Sequence, residues 1–184
     1  MLHDEEKKYL LDVAHYALRD EIGAQHIAEV PHTLSSEALQ QQAGVFVTLY
    51  NKKKLRGCLG LLTSEKSIVE NVETMTRRAA TTDTRFSPVS AGEADDIVIE
   101  ISVLSPFQKI SSAEEIVVGT HGLFIRQGMH SGLLLPQVAV EYGWNVQEFL
   151  EETCYKAGLE HDAWKNPSTE KYIYSAEIIS EKVR

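Results

Sequence analysis

Two apolar runs separated by four residues constrain this chain more than any other feature. Residues 44–50 and 55–60 flank Asn51-Lys52-Lys53-Lys54, a spacing that predicts a tight β-hairpin and therefore antiparallel pairing near the start of the sheet. The second run reads Leu55-Arg56-Gly57-Cys58-Leu59-Gly60. Side chains alternate along a strand, which predicts Arg56 and Cys58 on one face, roughly 7 Å apart. A guanidinium beside a thiol favours the thiolate, the form that attacks electrophiles. Gly57 and Gly60 weaken a strand and mark a bulge, or a close approach by another backbone or a ligand. A cation, a thiol and two bare backbone positions make this stretch the leading site candidate.

The 184 residues suit one domain with room for a sizeable core. No apolar run approaches the roughly 20 residues of a membrane span. The start, Met1-Leu2-His3-Asp4-Glu5-Glu6, is acidic where a signal peptide is basic, so the expected compartment is the cytoplasm and no membrane partner is expected. Two distant cysteines make neither a disulfide framework nor a CxxC pair, and seven histidines lack metal-binding spacing, so no metal site is expected. A net charge of −9 opposes broad nucleic-acid binding. The Lys52-Lys53-Lys54 run is a local exception that reads as a solvated turn.

Further along, residues 4–23 read as a helix with Asp4 as N-cap, Gly23 as stop, and a buried stripe of Leu10, Val13, Ala14, Ala17 and Leu18. Residues 24–43 are interrupted by Pro31, with a short helix expected over 35–42. Ser67-Ile68-Val69-Glu70 is a capping box that opens a helix to about residue 81. The polar loop at 82–88 carries Asp83 and Arg85. Residues 97–104 alternate as a strand whose second face holds Glu100, either solvent-facing or a partly buried carboxylate whose first candidate partners are Arg56 and Arg85.

A second hairpin is expected between 123–126 and 133–135, with Gly128 and Gly132 serving its turn. Pro136 opens a helix ending at Gly143. Asn145 and Glu148 cap the next one, with Trp144 and Phe149 as a hydrophobic staple. Gly158 stops it, letting Leu159 fold back on an inward, inert Cys154. A last strand is expected over 171–179, followed by a polar tail at 180–184. Helices and strands alternate irregularly and no linker divides the chain, which predicts one α+β domain of mainly antiparallel sheets with flanking helices.

Several of these segments together resemble the AMMECR family. They are Gly44-Val45-Phe46-Val47-Thr48-Leu49, Leu55-Arg56-Gly57-Cys58-Leu59-Gly60, Asp83-Thr84-Arg85-Phe86 and Glu100-Ile101-Ser102-Val103-Leu104-Ser105-Pro106. His121-Gly122-Leu123, Ser131-Gly132-Leu133-Leu134-Leu135-Pro136-Gln137-Val138-Ala139, and the stretch carrying Phe149, Cys154, Lys156, Ala157 and Gly158 match as well. The resemblance covers nearly the whole chain. It implies two α+β lobes with a cleft between them, the larger lobe joining both ends of the chain and the smaller one built from its middle. It also implies that the LRGCLG segment is the signature and a site. In prokaryotes it implies an association with a Memo-like protein and a radical-SAM-type protein. It implies no particular reaction and no cofactor.

Three readings of the site stand side by side. In the first, an enzyme or ligand-binding protein uses Cys58 as nucleophile or acid and Arg56 as anion anchor. Glu100 and Asp83 are its acid–base groups, and Arg85, Gly57 and Gly60 help hold an unidentified small molecule. In the second, Arg56 and Glu100 form an ion pair, while Cys58 and the glycines serve packing alone. In the third, the protein is a non-catalytic adaptor that presents a surface to protein partners.

Overall fold

The computed structural model describes residues 2–24 and 34–181. It contains helices and two four-stranded antiparallel sheets, the α+β arrangement expected from the irregular order of elements. The chain divides into two compact units: Met1–Leu104 with Glu177–Arg184, and Ser105–Ala176.

In the first unit, α1 (Asp4–Glu21) starts one residue earlier than its acidic run predicts. His3, not Asp4, is the N-cap, because the His3 N–H can donate to the Glu6 carboxylate at 2.7 Å. Gly23, at φ +65°, takes the left-handed position that ends the helix. The sheet runs β2 (Lys54–Leu61), β1 (Val45–Asn51), β3 (Ile97–Leu104), β8 (Ala176–Ser180). The β1–β2 turn holds both Lys52 and Lys53 at positive φ, as a two-residue type I′ hairpin requires. Helix α2 (Ile68–Thr81) is capped by Ser67 and Glu70 as the sequence predicts.

Both helices pack on one face of the sheet, where Val45, Val47, Leu49, Ile99 and Ile101 are buried with Leu10, Leu18, Val72 and Met75. By alternation, Phe46, Thr48, Tyr50, Cys58 and Glu100 occupy the other face. The short helix expected over 35–42 is instead a turn through 37–40, followed by a bridge from Gln42 to Ser67. Leu39 anchors that segment in the core, and one isolated turn gains too few hydrogen bonds to propagate a helix. Pro31 lies outside the described residues, as do the last three residues of the tail.

The second unit's sheet runs β4 (Gln108–Ile110), β7 (Glu170–Tyr174), β5 (Gly122–Gln127), β6 (His130–Leu134). Helix α3 (Pro136–Tyr142) ends at Gly143, and α4 (Val146–Lys156) carries the Asn145–Glu148 capping box. The Leu159 N–H donates to the Cys154 carbonyl at 3.0 Å and Gly158 sits at φ +74°, the expected Schellman ending. Cys154 is fully buried, and burial pushes its thiol pKa up. Gly128 serves the β5–β6 turn, but Gly132 does not. A Cβ at Gly132 would stand 2.5 Å from the Ala157 backbone nitrogen, so this glycine admits the end of α4. The single last strand expected over 171–179 is two strands, β7 and β8, which join different sheets. Ser175 separates them and is held by Ser105, whose N–H reaches the Ser175 carbonyl at 2.9 Å. Nothing in the uninterrupted apolar alternation marks that break.

Candidate functional site

The LRGCLG segment forms most of β2, the outer strand of its sheet. Its register against β1 pairs Leu49 with Gly57 but Tyr50 with Leu55, leaving Arg56 as the extra residue of a β-bulge. The bulge breaks the alternation on which a shared face for Arg56 and Cys58 depends. Arg56 donates instead to Glu93 through Nε at 2.7 Å and Nη2 at 3.1 Å, and to the Ser87 and Pro88 carbonyls at 2.8 and 3.1 Å. Its carboxylate partner is therefore Glu93, on the 3-10 helix Ala91–Asp96, rather than the expected Glu100. The Arg56 guanidinium and the Ser90 N–H hold the Glu93 carboxyl down at about 2.

The cation at Cys58 is Arg85. Asp83, with 5% of its side chain exposed, accepts the Cys58 N–H at 2.9 Å. Arg85 grips the same carboxylate with Nε at 2.9 Å and Nη2 at 2.7 Å, and Nη2 also donates to the Cys58 carbonyl at 3.2 Å. Two side chains thus do at Cys58 what a neighbouring strand would do, pairing the outward N–H and C=O of an edge strand. The Arg85 guanidinium holds the Asp83 carboxyl well below the usual carboxylate range, and the Cys58 and Arg85 N–H groups add to this against the effect of burial. Arg85 itself stays 56% exposed, with its guanidinium 5.5 Å from the Phe86 ring. It is a cation of fixed direction with one side open to solvent.

Cys58 is a partly exposed free thiol. Thr48, opposite it on β1, donates its hydroxyl to the sulfur at 3.3 Å. Thr48 also lies opposite Glu100 on β3, so Cys58, Thr48 and Glu100 form one cross-strand row on the face away from the helices. The two glycines have packing roles. A Cβ at Gly57 would stand 2.3 Å from the Ala79 carbonyl of α2, and one at Gly60 would meet the Phe46 ring and the Val45 carbonyl oxygen, at 2.6 Å from the latter.

The structure therefore gathers Cys58, Asp83 and Arg85, aligns Glu100 with Cys58 through Thr48, and gives Arg56 its own carboxylate. Two residues escaped the sequence reading. Glu93 was visible in Ser90-Ala91-Gly92-Glu93, a second S-x-x-E pattern like that at Ser67. Thr48 was visible only once register was known. Among the described residues, no group of three or more His, Cys, Asp or Glu stands where it could hold a metal ion.

Comparison with known proteins gives a consistent picture. The family model AMMECR1 matches residues 11–179. A protein of Thermococcus onnurineus is 41% identical across 98% of this chain and 93% of its own length. One from Caldivirga maquilingensis is 38% identical across 97% of this chain and 86% of its own. The crystal structure of uncharacterised protein PH0010 from Pyrococcus horikoshii superposes with a TM-score of 0.85 at 38% identity, covering 96% of this chain and 92% of that one. A match of this extent places the chain in the AMMECR1 family.

Proposed function

We propose that the protein is a cytoplasmic enzyme or ligand-binding protein that takes an anionic small molecule at the outer edge of β2, beside Cys58. The observation that carries this reading is the position of Arg85. It is oriented by Asp83 and by the Cys58 carbonyl, yet more than half exposed. A guanidinium fixed in this way offers a planar fork to a carboxylate or phosphate. In this assignment Arg85 is the anion anchor, Asp83 orients it, Cys58 supplies the nucleophile or acid, and Glu100 and Thr48 complete the row beside the thiol. Arg56 braces the strand through Glu93. Alkylation of the folded protein with iodoacetamide, read by mass spectrometry, tests the reading with Cys154 as internal control. Cys58 reacts and Cys154 is spared; equal protection of both thiols contradicts the proposal.

A second reading, a non-catalytic subunit that presents a surface to Memo-like and radical-SAM-type proteins, is favoured by exposed Val117, Val140 and Tyr142, which are 52%, 58% and 69% accessible. Under it, association with those two proteins survives Cys58→Ser and Arg85→Gln and is lost in Tyr142→Glu.

A further inference from the structure

The second unit's sheet has one face that its helices do not use. Helices α3 and α4 pack against Leu123, Ile125, Leu134 and Ile173. Alternation places Phe124 and Arg126 of β5 on the opposite face, and register places Tyr172 and Glu170 of β7 beside them and Lys109 of β4 beside Tyr172. Phe107 joins this face, with its ring centroid 5.3 Å from that of Phe124, which lies 5.8 Å from Tyr172. These three rings are half-buried; Phe124 and Tyr172 sit on neighbouring strands, and Phe107 stands just before β4.

Charge flanks the rings. Glu170 accepts from Lys109 at 2.7 Å and from Arg126 at 2.8 and 2.5 Å, so two cations share one carboxylate and a net positive charge remains. Lys109 is 61% and Arg126 50% exposed, and the Arg126 guanidinium lies 6.0 Å from the Tyr172 ring centroid. Aromatic rings on the adjacent inner strands of a four-stranded antiparallel sheet, with cations alongside, match the chemistry of a base joined to a phosphate. The rings stack the base and the cations take the charge.

We propose that this face binds a nucleobase linked to a phosphate, with the base stacked on Tyr172 and Phe124 and the phosphate held by Arg126 and Lys109. The chain's net charge of −9 opposes a long polyanion. A single phosphate responds mainly to charges within a Debye length, about 8 to 10 Å, where this face is positive. These residues belong to the second unit, and Cys58 and Arg85 belong to the first.

Calorimetric titration of the full chain with AMP, inorganic phosphate and an eight-residue oligothymidylate tests the proposal. AMP binds more tightly than phosphate. Tyr172→Leu and Phe124→Leu, which keep apolar bulk, weaken AMP about five- to a hundredfold and leave phosphate unchanged. Arg126→Gln weakens both ligands, and Glu170→Gln strengthens both by removing the competing carboxylate. An octamer that binds more tightly than AMP identifies single-stranded nucleic acid as the source of the ligand; one that binds no better identifies a free nucleotide; either supports recognition of base and phosphate. No AMP binding at millimolar concentration overturns the proposal, and so does equal affinity for AMP and phosphate. Unchanged AMP affinity in both leucine variants, with their thermal midpoints retained, overturns it as well.

Discussion

The Asp83 carboxylate accepts the Cys58 backbone N–H at 2.9 Å, and Arg85, bound to that carboxylate, returns a hydrogen bond to the Cys58 carbonyl. The outer strand β2 is thereby paired at the residue that also carries the partly exposed thiol. Asp83→Asn keeps one acceptor but loses the charge that holds Arg85. It is expected to cost about 1 to 3 kcal/mol in urea unfolding. Hydrogen exchange at the Cys58 amide, whose N–H is bonded to Asp83, is expected to accelerate more than exchange at its neighbours.

Arg56 and Glu93 brace the same strand from its bulge. Arg56→Ala leaves Glu93 without its partner and removes two bonds to backbone carbonyls, at a cost of about 2 to 4 kcal/mol. The sign of the pH effect follows from Glu93, whose folded value of about 2 lies below its ordinary 4.5. Its contribution is complete above the ordinary value and is lost as pH falls toward the folded one. Glu93→Gln is therefore expected to be less stable than the native chain near neutrality, and its unfolding free energy falls less steeply between about pH 5 and pH 2. Asp83 acts in the same direction and keeps a residual acid slope in that variant.

Gly57 separates packing from ligand contact. A methyl group there meets the Ala79 carbonyl of α2, which is backbone and cannot rotate away. Gly57→Ala is expected to destabilise the protein by about 3 kcal/mol or more, measured by thermal or urea unfolding, by forcing strand and helix apart. A change below about 0.5 kcal/mol would contradict this role.

The β1–β2 turn stores removable strain. Lys52 and Lys53 both hold positive φ, which side chains with a Cβ adopt at a cost of about 1 kcal/mol each. Asn-Gly suits that turn, so the pair Lys52→Asn, Lys53→Gly is expected to raise the urea midpoint, corresponding to about 1 kcal/mol.

Much of the fold was legible because local signals agree with one another. Ser67 with Glu70, Asn145 with Glu148, Gly23, Gly143 and Gly158 each announce a helix end from a few residues. The hairpin at 51–54 follows from the spacing of two apolar runs, and the strand at 97–104 from alternation. What stayed hidden depends on register or on distant partners. No local pattern shows that a bulge isolates Arg56, that Ser105 divides the last strand at Ser175, or that Ala157 fills the space at Gly132. By residue type the sequence offered Cys58, Arg56 and Glu100 with Asp83, Arg85, Gly57 and Gly60, and of these the structure brings Cys58, Asp83 and Arg85 together. The site's internal roles needed three dimensions, because the guanidinium at Cys58 comes from a loop 27 residues further along the chain rather than from its own strand.

The central claim is that Arg85, not Arg56, is the cation that an anion meets beside Cys58. Alkylation rates with negatively charged iodoacetate and neutral iodoacetamide read this directly, with the unfolded chain as reference for the ratio of the two. In the folded protein, Cys58 is expected to favour iodoacetate about fivefold relative to that reference, the effect of an interaction of about 1 kcal/mol at a solvated site. The preference is expected to vanish in Arg85→Gln, persist in Arg85→Lys and persist in Arg56→Gln. An unchanged ratio in Arg85→Gln, or a loss confined to Arg56→Gln, would contradict the account.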